Sequence, residues 1–407
     1  MEKWRVGIIG LGGRGMGHLR GILTEREDVY VTYVCDSYED RAAAAAKVVE
    51  EKNGHTPKMT LNYKEVCESA DVDVVVVTSA WENHIPACCY AMECGKQVCT
   101  EVGGAYSVDD CWKLVNTYEK TGIHCMLLEN CCYDRNELMV LKMVREGLFG
   151  KIVHCEGGYQ HDLREEISRG AENRHYRLRN YQNRNCENYP THELGPIAKI
   201  LDINRGNRMI KLVSMASSAM GLNEYARSHS NIPAELQSYP FCQGDVVKTL
   251  IQCAHGETIC LTLDTTLPRY YSRNFTIRGT KGFFGENESM VWLDNDHGND
   301  FDHSTFNNLE KYRPEWEHPI WKRFFEEGVK GGHGGMDWLV FDAYFTSLAE
   351  GKVPPIDTFD TAAWMAITPL SEISIANGSI PVDIPDFTRG QWTNRQDKFT
   401  GFYQLDK

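Results

Sequence analysis

Short apolar runs alternate with amphipathic stretches through the first third of the chain. Residues 4–9, 29–35, 72–77, 97–101 and 124–129 are rich in apolar, β-branched and aromatic residues and predict strands. Between them, 15–23, 40–51, 85–94 and 108–121 predict helices, with Ser107 placed to cap the last. The four valines Val74–Val77 are apolar on both faces, as a strand inside a parallel sheet must be. Strand and helix in alternation predict an α/β domain built on a doubly wound parallel sheet.

The pattern changes after about residue 150. Residues 152–160, 211–216, 246–253, 258–265 and 274–278 predict strands with few helices between them. Turn signals such as His255-Gly256-Glu257 separate them. This predicts a second, α+β domain with a large, mostly antiparallel open sheet. The expected division is 1–135 and 136–407. Residues 161–190 and 285–320 lack periodicity and predict long functional loops, while 337–348 and 361–376 predict helices.

Composition narrows the function. The chain has 407 residues, with 43 Lys+Arg against 57 Asp+Glu, a formal net charge of −14. An acidic protein is a poor general ligand for nucleic acid or for anionic membrane surfaces, so neither partner is expected. No apolar run reaches the roughly 18–20 residues a bilayer crossing needs. Met1-Glu2-Lys3-Trp4 leads directly into a predicted strand without the pattern of an export leader, so the expected location is cytoplasmic. The 15 cysteines include no Cys-x-x-Cys pair and sit largely among apolar residues, which predicts reduced core thiols. His154, His161 and Asp162 cluster in sequence without ligand spacing, and no metal is expected.

Gly10-Leu11-Gly12-Gly13-Arg14-Gly15 matches G-x-G-x-x-G between a predicted strand and a predicted helix. Such a turn lets backbone approach a pyrophosphate at a helix N-terminus. Asp36 ends the second strand, where a carboxylate binds ribose hydroxyls and repels a 2′-phosphate. Together they predict a Rossmann domain that takes NAD rather than NADP. The loop Trp81-Glu82-Asn83-His84, the segment Glu101-Val102-Gly103-Gly104 and Asn130 follow three further strands, and so share one sheet edge. In the second domain, polar residues concentrate in Gly157–Arg164, Tyr176–Arg179 and Asn188–Pro196. Tyr189 and His192 open a predicted helix and can present a proton donor and acceptor together, with Thr191 expected as its cap.

Over essentially its full length the chain resembles the Gfo/Idh/MocA superfamily of oxidoreductases, and within it the family 109 glycoside hydrolases, which are α-N-acetylgalactosaminidases. The resemblance lies in the Arg14-Gly15 turn, Trp81–His84, Glu101-Val102, Gly158–Arg164, Tyr189-Pro190-Thr191-His192 with Gly195-Pro196, Lys199–Gly206 and His333–Asp337. It implies NAD contacts at Arg14, Gly15, Asp36, Trp81, Glu82, Asn83, His84, Glu101, Val102 and Asn130, beside the glycine turn of Gly10 and Gly12. It implies sugar contacts at Tyr159, Arg177, Tyr189, Pro190, Thr191, His192 and Tyr271, with Tyr270 competing for the last place. It also implies a homo-oligomer and, in many relatives, an export leader that this N-terminus does not show.

The resemblance separates two chemistries. Ordinary dehydrogenases of the superfamily carry Glu-Lys-Pro where this chain has Glu101-Val102-Gly103, and an Asp where it has Asn188. The absent lysine and aspartate point away from simple alcohol oxidation, the alternative being a sugar, glycoside or inositol dehydrogenase. They point to an NAD-dependent glycosidase that oxidises carbon 3 of the sugar, eliminates across carbons 1 and 2, adds water and re-reduces. Such enzymes do without a dedicated carboxylate pair. In that scheme His192 is the acid/base at the oxidised hydroxyl, and Tyr159 or Tyr271 serves carbon 2.

Overall fold

The computed structural model describes residues 3–297 and 305–406. The chain forms two compact units. The first draws on Met1–Tyr133, Phe324–Ala363 and Asp397–Asp406, the second on Asp134–Arg323 and Trp364–Gln396.

In the first unit, β1 (Trp4–Ile9), β2 (Val29–Cys35), β3 (Lys58–Thr60), β4 (Val74–Val77), β5 (Gln97–Thr100) and β6 (Cys125–Leu127) form one sheet in the order β3-β2-β1-β4-β5-β6. Every pairing is parallel, with Trp4 opposite Val29 and Val6 opposite Val74. The chain winds outward in opposite directions from β1 and β4. The loops after these two strands therefore part and leave a crevice at their carboxyl ends. All four valines of β4 are fully buried, as their two-faced apolar pattern requires. Ser107 caps the helix Val108–Thr121 by accepting from the Asp110 N–H at 3.0 Å. The strand β3 and the helix Tyr63–Glu68 were not foreseen. Only one of the three β3 residues is buried, too little for an alternating pattern.

Two expectations for this unit change. Trp81–His84 is not a loop but the first turn of the helix Trp81–Glu93. Pro86 suits a helix start at Ile85, yet it lies inside the helix. The buried Trp81 and His84 anchor the extra turn. The expected strand from Val72 also begins later, at Val74.

In the second unit, β7 (Ile152–Gln160), β8 (Met209–Ala216), β9 (Val246–Cys253), β10 (Thr258–Asp264), β11 (Thr276–Gly279), β12 (Gly282–Gly285), β13 (Met290–Leu293) and β14 (Val382–Asp383) form a sheet in the order β13-β12-β11-β7-β10-β9-β8-β14. The β7–β10 pair is parallel and the rest are antiparallel. β9 alternates between buried and exposed residues, so one sheet face is core and the other is open. The helices Thr191–Ile200 and Ile367–Ala376 pack on this sheet, at β7 and β8.

Three expectations for this unit change. The 161–190 segment is not a long loop, since the short helices Arg164–Ser168 and Arg177–Asn183 fall within it. Within 285–320 stand β13 and the helix Leu309–Trp316, followed by Pro319–Glu327, while 298–304 lie outside the described residues. The expected helix over 361–376 is two helices, Thr358–Met365 and Ile367–Ala376.

Candidate active site

The glycine turn follows β1 and opens the helix Gly13–His18, which continues as a wider π turn over Leu19–Leu23. Gly10 has φ +94°, and a Cβ there would lie 2.5 Å from Ser79 Cα. A Cβ on Gly15 would lie 2.0 Å from the Gly10 carbonyl oxygen. These two positions admit no side chain, so the helix seats tightly against the ends of β1 and β4. A Cβ on Gly13 would meet nothing within 4 Å, and on Gly12 only the Arg41 guanidinium at 3.7 Å. No side chain caps the helix. An open cradle at an uncapped helix N-terminus suits a pyrophosphate.

Asp36 follows β2 and braces the turn. It accepts from the Leu11 N–H at 2.6 Å and from the Tyr38 N–H at 2.9 Å. Both bonds fix its carboxylate beside the turn, where it can take ribose hydroxyls with its remaining lone pairs. In the first turn after β4, Trp81 and His84 are buried, Glu82 is half-buried and Asn83 is exposed. The Trp81 ring leaves no room for a Cβ on Gly103, which has φ +143°. His84 Nε2 lies 2.9 Å from the Ser79 carbonyl, and burial lowers its pKa, so the ring is neutral. Its buried Nδ1 has no hydrogen-bond partner among the described residues. The closed positions of the turn, its open cradle and this orphaned acceptor fit a dinucleotide.

Beyond β5 and β6 the site is charged. Arg14 Nε donates to Glu101 Oε1 at 2.9 Å, and its two Nη atoms donate to Asp337 at 2.6 and 2.8 Å. His18 Nε2 shares Glu101 Oε1 with Arg14. Asn130 Nδ2 donates to Asp337 at 2.8 Å. The Val102 N–H lies 3.2 Å from Glu101 Oε2. Burial alone would raise Glu101, but Arg14 and then His18 outweigh it and hold its pKa down to about 2. Neither His18 nor this use of Asp337 was foreseen. His18 carries no motif, and Asp337 was visible only as part of the His333–Asp337 run.

The second unit gathers an aromatic cluster. Tyr159 stands near the end of β7, Tyr189 and Pro190 precede the helix Thr191–Ile200, and Arg177 opens the helix Arg177–Asn183. The Tyr159 and Tyr189 ring centroids are 4.3 Å apart. His192 lies 5.5 Å from the first ring and 4.8 Å from the second. The Arg177 guanidinium lies 5.7 Å from the Tyr159 centroid and 5.0 Å from that of Tyr189. It is buried and paired with Glu166 at 2.9 Å. His161, not foreseen as a site residue, lies 3.1 Å from the Tyr159 hydroxyl by its Nδ1 and 5.1 Å ring to ring from Tyr271. Burial and then the Arg177 charge lower its pKa. Of the two neighbouring tyrosines, Tyr271 meets this cluster, whereas Tyr270 packs against Arg269.

Thr191 is not the helix cap. Pro190 holds the N-cap position, and the Thr191 hydroxyl is buried without a partner among the described residues. Pro268–Arg273 joins β10 to β11. β10 and β11 flank β7, so the segment crosses from one side of that strand to the other. Arg273 is buried at its end and reaches Glu193 (3.0 Å), Glu137 (2.6 Å) and Asp134 (3.1 Å). It thereby ties the segment bearing Tyr271 to the helix bearing His192.

The fold, the glycine turn and the carboxylate after β2 define a dinucleotide-binding protein, a Rossmann domain joined to a second domain built on a mostly antiparallel sheet. Residues 4–128 match the NAD-binding Rossmann fold of the oxidoreductase family, and 133–394 match the C-terminal domain of glycosyl hydrolase 109. The chain is 39% identical to a glycosyl hydrolase family 109 protein of Solibacter usitatus, over 96% of this chain and 90% of that one. It is 36% identical to an α-N-acetylgalactosaminidase of Tannerella forsythia, over 97% and 88% respectively. Among solved structures, levoglucosan dehydrogenase with NADH and levoglucosan superposes with a TM-score of 0.68 at 18% identity, covering 95% of this chain and 100% of that one. A myo-inositol dehydrogenase of Lactobacillus casei in complex with NAD(H) and myo-inositol gives 0.62 at 14%, covering 99% and 100%. The chain belongs to glycosyl hydrolase family 109. It is a glycosidase whose cofactor is NAD, and it acts on a sugar. Among the described residues, no helix is long and apolar enough to cross a membrane.

Proposed function

We propose that this glycosidase cleaves α-N-acetylgalactosaminides by transient oxidation of the sugar. The substrate class is supported by the relatives from Tannerella forsythia and Shewanella oneidensis, both α-N-acetylgalactosaminidases, at 36% and 37% identity. The observation that carries the chemistry is the packing of Tyr159, Tyr189 and His192 around one another with the Arg177 guanidinium over both tyrosines.

Bound NAD supplies reversible hydride acceptance at carbon 3 of the sugar and emerges unchanged. Gly10, Gly12, Arg14, Gly15, Asp36, Trp81–His84, Glu101, Val102 and Asn130 hold it. His192 takes the proton of the carbon 3 hydroxyl and later returns it. With carbon 3 at the ketone level, the hydrogen on carbon 2 is acidic. Tyr159 removes it, with Tyr271 as the second candidate. Arg177 offers fixed positive charge to the enolate that develops. Loss of that proton expels the aglycone oxygen from carbon 1, and water adds there. Tyr189, Pro190 and Thr191 line the sugar.

In this reading residues 1–135 carry NAD, with Phe324–Ala363 and Asp397–Asp406 in the same compact unit, and the rest of 136–407 carries the sugar and self-association through the open sheet. The 15 free cysteines, of which Cys242 is the exposed one, suit a reducing, cytoplasmic compartment.

A chromogenic α-N-acetylgalactosaminide incubated in deuterated water without added NAD tests the reading. Aglycone release with deuterium at carbon 2 and no net NADH is expected. Stoichiometric NADH on adding NAD and free sugar would move the protein to the dehydrogenases. His192→Ala should lower turnover by about 10²-fold or more. Near wild-type turnover would remove His192 from the chemistry.

A further inference from the structure

Asp337 gathers much of the first unit's site around one carboxylate. It accepts from Arg14 at 2.6 and 2.8 Å and from Asn130 at 2.8 Å, and it lies 2.9 Å from His333 Nδ1. Through Arg14 it is joined to Glu101, which also meets His18. Asp337 is 3% exposed and Glu101 5%. Asn130 and Asp337 are 207 residues apart in sequence, so the helix Met336–Ala349 is a built part of this site.

The cluster's place on the sheet says which half of the cofactor it faces. Asp36 follows β2, on one side of the β1–β4 switch point, and suits the adenosine ribose. Glu101 and Asn130 follow β5 and β6, on the other side, where the nicotinamide half of a dinucleotide falls. Glu101 and Asp337 each present a buried carboxylate here, and the single Arg14 guanidinium is divided between the two. The oxidised nicotinamide ring is positively charged and the reduced ring is neutral. A fixed negative charge nearby therefore stabilises the oxidised form selectively.

We propose that Asp337 and Glu101 bias the resident cofactor toward NAD+, with Asp337 acting as a positioning residue that holds Arg14 and Asn130. The bias serves a cycle of no net oxidation, because the resting enzyme must hold the hydride acceptor. Both carboxyls are held in their ionised form. Burial opposes this in each. Arg14 and His18 overcome it at Glu101, and His333 and Arg14 overcome it at Asp337. The inference rests on the NAD site and not on the glycoside, so a failed glycosidase assay leaves its readout intact.

The test is a reductive titration of the Asp337→Asn holoprotein against a reference dye, with bound NADH followed by its absorbance. Two electrons and one proton convert bound NAD+ to NADH. One unit charge at a distance on the order of 10 Å shifts that balance by roughly tenfold. The variant's potential should therefore rise by about 30 mV. Asp337→Glu should restore it. An unchanged potential in folded, cofactor-bearing Asp337→Asn overturns the proposal. If that variant fails to fold, Glu101→Gln carries the test with the same expected rise, and no rise there also overturns it. If cofactor is shed, separate Kd values for NAD+ and NADH give the same ratio. An equal loss of both affinities would make Asp337 merely structural.

Discussion

The two units bury carboxyl groups to the same depth and leave them in opposite protonation states. In the first unit, Glu101 and Asp337 are 5% and 3% exposed and ionised. In the second, Glu187 and Glu137 are 0% and 2% exposed, and their pKa values are raised, that of Glu187 to about 8. Burial acts in the same direction on all four. The difference is the supply of cations. Arg14 divides itself between two carboxylates and is helped by His18 and His333. Arg273 faces Asp134, Glu137 and Glu193 together. Burial at Glu187 outweighs the Tyr189 N–H and the charge of Lys248. A buried acid thus reports the cation count around it. The ionised pair surrounds Arg14 beside the glycine turn, while Glu137 shares Arg273 with Glu193 and Glu187 lies two residues before Tyr189.

The most damaging way to break this comparison is to remove the shared cation of the first unit. Arg14→Gln should cost about 3 kcal/mol, because two buried carboxylates lose their partner while Arg14 itself is partly solvated. Its acid unfolding should also move. Glu101 and Asp337 have depressed pKa values in the folded state. Their contribution is therefore full above the ordinary carboxylate range and is lost as pH falls through their folded values, about 2 for Glu101. In Arg14→Gln that loss should begin at higher pH. Denaturant titrations across the acid range check both, and a variant with wild-type acid stability would show that Arg14 does not set these protonation states.

Glu187 gives the opposite sign and a smaller effect. Its folded pKa is raised from 4.5 to about 8. The folded form keeps its proton while the unfolded chain ionises, so stability is full below the ordinary value and falls as pH rises through that window. Glu187→Gln removes the dependence. The variant should gain on wild type progressively between these limits, on the order of 1–3 kcal/mol by neutral pH. Parallel stability curves for the two proteins would mean that Glu187 is ionised in the fold.

The sequence made the parallel sheet legible because its strands are continuous apolar runs and its glycine turn has a carboxylate at the right strand end. Val29–Cys35, Val108–Thr121 and Val246–Cys253 came out at their full lengths. β3 did not, since Lys58 and Met59 are exposed. The helices within 161–190 stayed hidden because they are five and seven residues long and rest on polar contacts such as Arg177–Glu166. The proposed sugar residues were named through resemblance, residue by residue. What no pattern in the chain conveyed was pairing across long separations. Arg14 meets Asp337 over 323 residues, and Arg273 meets Glu137 and Glu193 from three separate elements. Spacing along a chain says nothing of such contacts, so the charge state of the site had to be read in space.

The smallest expected effect decides most finely between the two regions. Around Arg273 the carboxyls are not equivalent. Burial opposes ionisation of Asp134, but Arg273 outweighs it and lowers its pKa, whereas burial raises Glu137 beyond what Arg273 can offset. Burial therefore keeps the proton on Glu137, while Asp134 is held ionised by Arg273. An amide has the same shape as the protonated acid and is likewise neutral. Glu137→Gln should therefore change stability by no more than about 1 kcal/mol at neutral pH. Glu193→Gln, which removes the carboxylate facing Arg273 Nε at 3.0 Å, should cost more. Equal losses in the two variants would mean that burial does not keep Glu137 protonated. Arg273 would then offset burial at Glu137 as Arg14 does at Glu101, and the supply of cations would no longer separate the two units.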